Sequence, residues 1–231
     1  MKIPGIIGGI APESTVQYYR WMIEEFRRRK PDGSYPGILI NSIDMKRMLD
    51  LIGAGDLPGV TDFLAGEAGK LARAGAGFAF FASNTPHIVF DEVRERCSIP
   101  LLSIVEAACD SARGAGLRRV GLFGTRFTMQ AKFYPKVFTR RGIDVVVPQP
   151  EEQEYIHAKY MGELVAGIFL AGTRERMLAI ADRMRKEEAI DGLVLGGTEL
   201  PLLLADSGGL GIPFLDTTRI HAEAAVAEMF S

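Results

Sequence analysis

Four short stretches of this sequence hold the residue types that could do chemistry, and each follows an apolar run. Ser83-Asn84-Thr85-Pro86-His87 puts three small polar side chains and an imidazole directly after such a run. Burying groups of this kind is costly unless they find partners, and helix capping accounts for only one or two of them. Gly197-Thr198-Glu199 follows a second apolar run in the same way. Hydroxyl and amide donors in such loops suit a small carboxylate. A third stretch, Gly8-Gly9-Ile10-Ala11-Pro12-Glu13-Ser14, enters a helix with Pro and Ser near its start. Its backbone N–H groups are available to an anion, and a tight turn with a cap explains it equally well. It lacks the third glycine of a dinucleotide fingerprint. The fourth, Asp216-Thr217-Thr218 with His221 about a turn later, reads as a helix cap before it reads as a device that orients the other groups.

The elements that must position these loops are short apolar runs bounded by Gly or Pro, alternating with segments of helical period, which is the mark of a parallel α/β fold. The predicted strands cover residues 3–9, 37–44, 77–83, 99–104, 119–125, 144–148, 192–197 and 212–217. Helical core faces are expected at Val16, Tyr19, Ile23 and Phe26, then at Val60, Leu64, Ala68 and Leu71. The same period gives Met129, Phe133 and Val137, then Leu164 and Ile168, then Met177, Ala181 and Met184, and finally Ile220, Ala224 and Ala227. Tyr18, Trp21 and Met22 read as a dimer surface or as intramolecular core.

The chain also repeats itself. GIIGG ending at Gly9 resembles VGLFGT ending at Thr125, FAFFASNT resembles LVLGGTE, and IPLLSI at Ile99 resembles IPFLDT at Ile212. Gly8 precedes Ser83 by 75 residues and Gly124 precedes Gly197 by 73. Two pseudo-symmetric α/β halves are therefore expected, each a small parallel sheet flanked by helices, with equivalent loops facing one cleft that holds the active site. The expected division is 1–98 plus 213–231 for the first half and 99–212 for the second.

Composition narrows the partners. At 231 residues, 47% hydrophobic and 24% charged, with a formal net charge of −2, the chain reads as an ordinary globular protein. No nucleic-acid partner and no membrane association are expected. The longest uncharged run, Ala74 to Phe90, is interrupted by Asn84, Pro86 and His87 and is too short to span a bilayer. The beginning of the sequence lacks the order of a signal peptide, so a cytoplasmic protein is expected. Two cysteines, Cys97 and Cys109, and three histidines, His87, His157 and His221, form no metal-ligand spacing. Neither disulfide nor metal is expected, and both cysteines read as packing residues.

Taken together, GIIGGIAPESTVQYYR, FFASNTPH, GTRFTM, VLGGTELP and IPFLDTTRIHAEAAV, running from Ile3 to Phe230, resemble the aspartate/glutamate racemase family. The resemblance is closest to its broad-specificity amino-acid racemase branch. It implies two α/β domains with an active site between them, a homodimer, and no pyridoxal phosphate or metal. The chemistry it implies is cofactor-independent movement of a proton on and off an α-carbon by two residues on opposite faces, usually cysteines in C-N-T and G-C-T-E motifs.

Here Ser83 stands at the first cysteine position and Gly197 at the second. A thiol titrates near about 8.5 and can be tuned to a thiolate, whereas an alcohol needs a neighbouring base and a glycine carries no proton. On this reading Ser83 works through His87 or a water, and a water beside Gly197 serves the other face. Asn84, Thr85 and Thr198 clamp the α-carboxylate, and Gly9, Ile10, Arg47, Thr125 and Glu199 complete the substrate site. Arg47 or Lys46 corresponds to the family's basic residue after the second strand, and Ala166 stands where some members carry lysine. Two alternatives stay open. One is a lyase or decarboxylase of small carboxylates, which needs a single proton donor. The other is a carboxylate-binding chain without turnover, its thiols lost naturally or by design.

Overall fold

A computed structural model describes all 231 residues. The chain divides into two compact units, Met1–Ile104 with Thr218–Ser231, and Val105–Thr217. The first unit holds β1 (Pro4–Gly8), β2 (Leu39–Ser42), β3 (Phe78–Phe81) and β4 (Leu101–Leu102), all parallel, in the order β2-β1-β3-β4. Its helices are α1 (Pro12–Arg29), α2 (Met45–Gly53), α3 (Leu57–Arg73) and α4 (Phe90–Arg96), followed by α5 (Ile104–Gly114), which leads into the second unit. Every residue of β1 and β3 is buried. Helices cover both faces of a parallel sheet, so its central strands read as continuous apolar runs instead of alternating ones.

Alternation along the strands sorts the core into two layers. Ile7, Ala79 and Phe81 meet Val60, Leu64, Ala68 and Leu71 of α3. Ile6, Phe78 and Phe80 point the other way, onto Tyr18, Met22 and Phe26 of α1 and onto Ala222, Ala225, Val226 and Met229. The last four belong to the final helix, whose return to the first sheet is fixed by Lys2 N–H donating to Met229 O at 2.9 Å and by a Lys2–Glu228 ion pair.

The second unit repeats the plan with β5 (Arg119–Gly124), β6 (Asp144–Val146), β7 (Gly192–Gly196) and β8 (Phe214–Asp216), parallel in the order β6-β5-β7-β8. Its helices are α6 (Arg126–Gln130), α7 (Phe133–Thr139), α8 (Pro150–Gly162), α9 (Ala171–Glu187) and α10 (Leu200–Leu203), and α11 (Thr217–Met229) carries the chain back to the first unit. Phe123, Leu193 and Leu195 pack against Ile156 and Tyr160 of α8 and Met177, Ala181 and Met184 of α9. No helix is long and apolar enough to cross a membrane.

All eight predicted strands form, but the expected division put two of them in the wrong sheet. β4 pairs with β3 through Ala79–Leu101 and Phe80–Leu102, so residues 99–104 belong to the first unit. β8 pairs with β7 through Leu193–Phe214 and Val194–Leu215, which places 213–217 in the second. A strand that follows a short crossover joins the edge beside its predecessor, and both edge strands obey this rule. The faces of α1, α7 and α11 are also turned by one residue, α7 burying Tyr134 and Phe138 in place of Phe133 and Val137. Val16 and Tyr19 are about half exposed, and the buried side of α1 carries Ser14, Thr15, Tyr18, Met22, Glu25 and Phe26. On α11 the buried side is His221, Ala222, Ala225 and Val226, while Ala227 is exposed. Polar residues on the inner faces of α1 and α11 hid the stripe from a reading of apolar period alone. Tyr18 and Met22 are intramolecular core, not a free surface.

Candidate active site

In parallel sheets, ligand-binding loops lie beyond the carboxyl ends of the strands, and in the first unit three such loops are stitched to one another. Ile43 N–H donates to Gly8 O at 2.9 Å, and Ala82 N–H donates to Ile7 O at 2.9 Å. Ser14 Oγ donates to Ala11 O at 2.7 Å and reaches Ala82 O at 3.1 Å, which ties the loop after β1 to the turn after β3. Gly9 is required where it stands. Its φ is +83°, and a Cβ there would lie 2.5 Å from Ile43 O. Its N–H donates to Thr15 Oγ1 at 2.8 Å. Ile10 was expected to line the ligand, but its side chain packs in the core against the α2–α3 layer, leaving only its backbone to the loop. The amino end of α1 has no side-chain cap, so its N–H groups remain available.

Ser83 and Asn84 are buried in the turn that ends β3, and Thr85 opens the 3-10 turn that carries His87. His87 is buried too. Its Nε2 accepts the Ile104 N–H at 3.2 Å, and its ring stacks on Phe90 at 4.6 Å and stands edge-on to Phe81. Burial, reinforced by His221, pushes its pKa down to about 3, against a smaller opposing pull from the Asn84 and Ser83 backbone. It is therefore a neutral ring whose Nε2 is already used as an acceptor. Arg47 is exposed on α2, with its guanidinium 4.5 Å over the Phe63 ring of α3. His221, from the fourth loop, is committed to the core: Nδ1 meets Tyr18 Oη at 2.8 Å and Nε2 meets Leu102 O at 3.3 Å. Burial brings its pKa to about 3 as well.

The second unit ends its two central strands with glycines because the strands approach closely there. A Cβ on Gly196 would lie 2.9 Å from Phe123 O, and one on Gly124 would lie 3.0 Å from Gly196 O. Thr125 caps α6 by accepting the Thr128 N–H at 3.3 Å. Arg126 N–H, next in the chain, donates to His157 Nδ1 of α8 at 3.3 Å. Thr217 Oγ1 donates to Leu195 O at 2.8 Å, a tie to the β7 backbone.

At Gly197 the structure shows something absent from the sequence reading. An ideal Cβ on Gly197 would lie 2.5 Å from Cε2, 2.8 Å from Oη and 3.0 Å from Cζ of Tyr160. The volume a side chain would fill is occupied by the edge and hydroxyl of that tyrosine, which also donates a short hydrogen bond to Glu199 Oε2. Thr198 Oγ1 donates to the same oxygen at 2.7 Å. Thus Thr198 and Glu199, both expected at the site, are gathered with Gly197 around a residue 39 positions earlier than Glu199. The signal that could have found Tyr160 is the period of α8, which sets it one turn beyond His157 on the helix that reaches both loops. The cysteines take no part: Cys109 is buried, Cys97 packs partly buried against the first core, and burial raises both thiols.

The sequence pattern of the Asp/Glu/hydantoin racemase family matches residues 7–225. The chain is 25% identical over 228 residues to the broad-specificity amino-acid racemase RacX of Bacillus subtilis, covering 96% of each. It superposes on the crystal structure of an aspartate racemase homologue from Pyrococcus horikoshii with a TM-score of 0.88 and 36% identity, over 100% of both chains. The fold is also that of the Francisella tularensis glutamate racemase solved with D-glutamate, at a TM-score of 0.67 and 16% identity, covering 99% of this chain and 81% of that one.

Proposed function

Because this chain belongs to the Asp/Glu/hydantoin racemase family, we propose that it racemises or epimerises a small amino acid by moving a proton on and off the α-carbon, without metal or organic cofactor. The observation that carries this reading is the repeated strand-end chemistry. In each unit the strand next to the first, β3 or β7, ends in a turn of small polar residues, Ser83-Asn84-Thr85 and Gly197-Thr198-Glu199. Asn84, Thr85 and the open amino end of α1 supply donors for the substrate carboxylate. Ser83 is the proton-handling group of the first unit. His87, with a pKa near 3 and its Nε2 engaged, is a poor partner for it at neutral pH. We assign His87 to holding the Ser83 turn against Ile104, and the Ser83 proton to a water relay. Arg47 is exposed and positioned by Phe63, and serves the substrate's distal group. The reading carries with it a cytoplasmic homodimer, for which the exposed apolar run Ile168-Phe169-Leu170 is a candidate surface. The relatives described above favour proton exchange over decarboxylation.

Proton NMR in deuterium oxide with a panel of amino acids and malonates tests this. The expected result is loss of the α-proton signal together with appearance of the opposite enantiomer; Ser83→Ala abolishes the interconversion and leaves α-proton exchange to one enantiomer only. Release of carbon dioxide would transfer the protein to the lyases, and binding without exchange across the panel would reduce it to a carboxylate-binding protein.

A further inference from the structure

Resting on the racemase reading, we propose that Tyr160 is the proton-transfer residue of the second unit and that Glu199 is its proton acceptor, so that a phenol–carboxylate pair works in the space beside Gly197. Three observations bring the pair together. First, the Tyr160 ring fills the volume a side chain at 197 would need, with Oη 2.8 Å from the ideal Cβ position. The phenol hydroxyl thus takes the place of a side chain at 197. Second, Tyr160 Oη donates to Glu199 Oε2, so the phenolic proton already points at a carboxylate that can take it.

Third, Glu199 is buried with two hydroxyl donors, Tyr160 and Thr198, and no cation pairs with it. A buried carboxylate balanced by hydroxyls alone is poorly explained as structural support. An arginine or lysine partner is the usual way to compensate such a charge, as Arg183 compensates the partly buried Glu152 at 2.5 Å. Burial and the Glu199 charge hold the Tyr160 hydroxyl well above the usual phenol range. A free phenolate is therefore not the base.

The step that remains is concerted. As the Cα–H bond breaks, its proton forms a bond to Tyr160 Oη, and the original phenolic proton passes to Glu199 Oε2. The result is a carbanionic substrate, a neutral Tyr160 and a protonated Glu199. Run in reverse, the same pair delivers a proton to Cα, and the tyrosine is neutral at both ends of the step. Thr198 Oγ1, bonded to the same Oε2, positions the carboxylate throughout.

The test is α-proton exchange in deuterium oxide measured for each enantiomer of an accepted amino acid separately, in the full-length wild type, Tyr160→Phe, Glu199→Gln and Ser83→Ala. Phenylalanine keeps the ring beside Gly197 and removes only the hydroxyl. Glutamine keeps an acceptor for Tyr160 and cannot take the proton. Tyr160→Phe and Glu199→Gln are each expected to slow exchange of one enantiomer by about 100-fold or more, the range of general acid–base contributions, and to leave the other within about threefold. Ser83→Ala is expected to show the opposite preference. If either variant folds poorly, the other carries the test. Equal slowing of both enantiomers would assign the pair a structural role and overturn the proposal, as would exchange of both at the wild-type rate. A wild type that exchanges neither enantiomer would overturn the racemase reading and this assignment together.

Discussion

Gly197→Cys tests whether the space beside Gly197 is already filled, and the structure gives the cost. The backbone at 197 is not in the left-handed region, so a side chain is tolerated there as far as dihedrals are concerned. Space is what is missing. The new Cβ would stand 2.5 Å from Tyr160 Cε2, so the ring must retreat by about 1 Å to reach ordinary contact. If the ring stays, the overpacking costs about 1–3 kcal/mol. If it swings away, it gives up a hydrogen bond to a buried carboxylate, which is worth about 1.5–3 kcal/mol. Between them, the two routes span a fall of about 2–12 °C in the melting temperature of a chain this size. The assay is scanning calorimetry of wild type, Gly197→Cys, Tyr160→Ala and the double variant. Because the smaller side chain at 160 removes the clash, the two substitutions should couple by about 1–3 kcal/mol, the double variant being more stable than additivity predicts. A Gly197→Cys protein that melts with the wild type, or additive substitutions, would refute the placement of Tyr160 beside Gly197.

The buried histidines predict a pH dependence. His87 and His221 have folded pKa values near 3, against about 6.5 when unfolded. The unfolded chain thus takes up protons first as pH falls, and stability is lost from about pH 6.5 down toward 3. Well below pH 6.5 each contributes a slope of about 1.4 kcal/mol per pH unit. Urea midpoints at pH 7.5, 6 and 5 should fall accordingly, and His221→Gln should flatten the dependence; a constant midpoint over that range would contradict the burial of neutral rings. Gly66, exposed in the middle of α3 with open space where a Cβ would go, should gain about 0.5–1 kcal/mol on substitution by Ala. A drop in melting temperature would show that the helix is not continuous there.

The strands were legible because buried parallel strands are unbroken apolar runs, as in FAFF of β3, and Gly or Pro borders each one on at least one side. Which sheet an edge strand joins was not legible, since IPLLSI and IPFLDT look alike and pairing is a long-range property. Helix faces were readable where they are purely apolar, as in Val60, Leu64, Ala68 and Leu71 of α3, all buried. They were misread where the inner face is polar: Glu25 and His221 have the composition of a surface and the hydrogen bonds of a core. The loops at Ser83 and Gly197 stood out because polar groups after apolar strands need a reason. Tyr160 did not. A tyrosine inside an amphipathic helix is ordinary, and only coordinates reveal that the emptiness of a distant glycine is what it fills.

The return of α11 to the first sheet makes the second unit an insertion within the first, with consequences for synthesis. Residues 105–217 are contiguous and all present before the last helix is made. Until residues 218–231 follow, Ile6, Phe78 and Phe80 lack Ala222, Ala225 and Val226, and Tyr18 lacks His221. That side of the first sheet is then uncovered apolar surface, the kind that aggregates or recruits chaperones. The order of assembly is thereby fixed by chain order: the inserted unit can close while the polypeptide is still growing, and the first unit is finished only once residues 218–231 have been made. A nonsense codon just before Thr218 would accordingly spare the sheet of the inserted unit and leave the opening one uncapped.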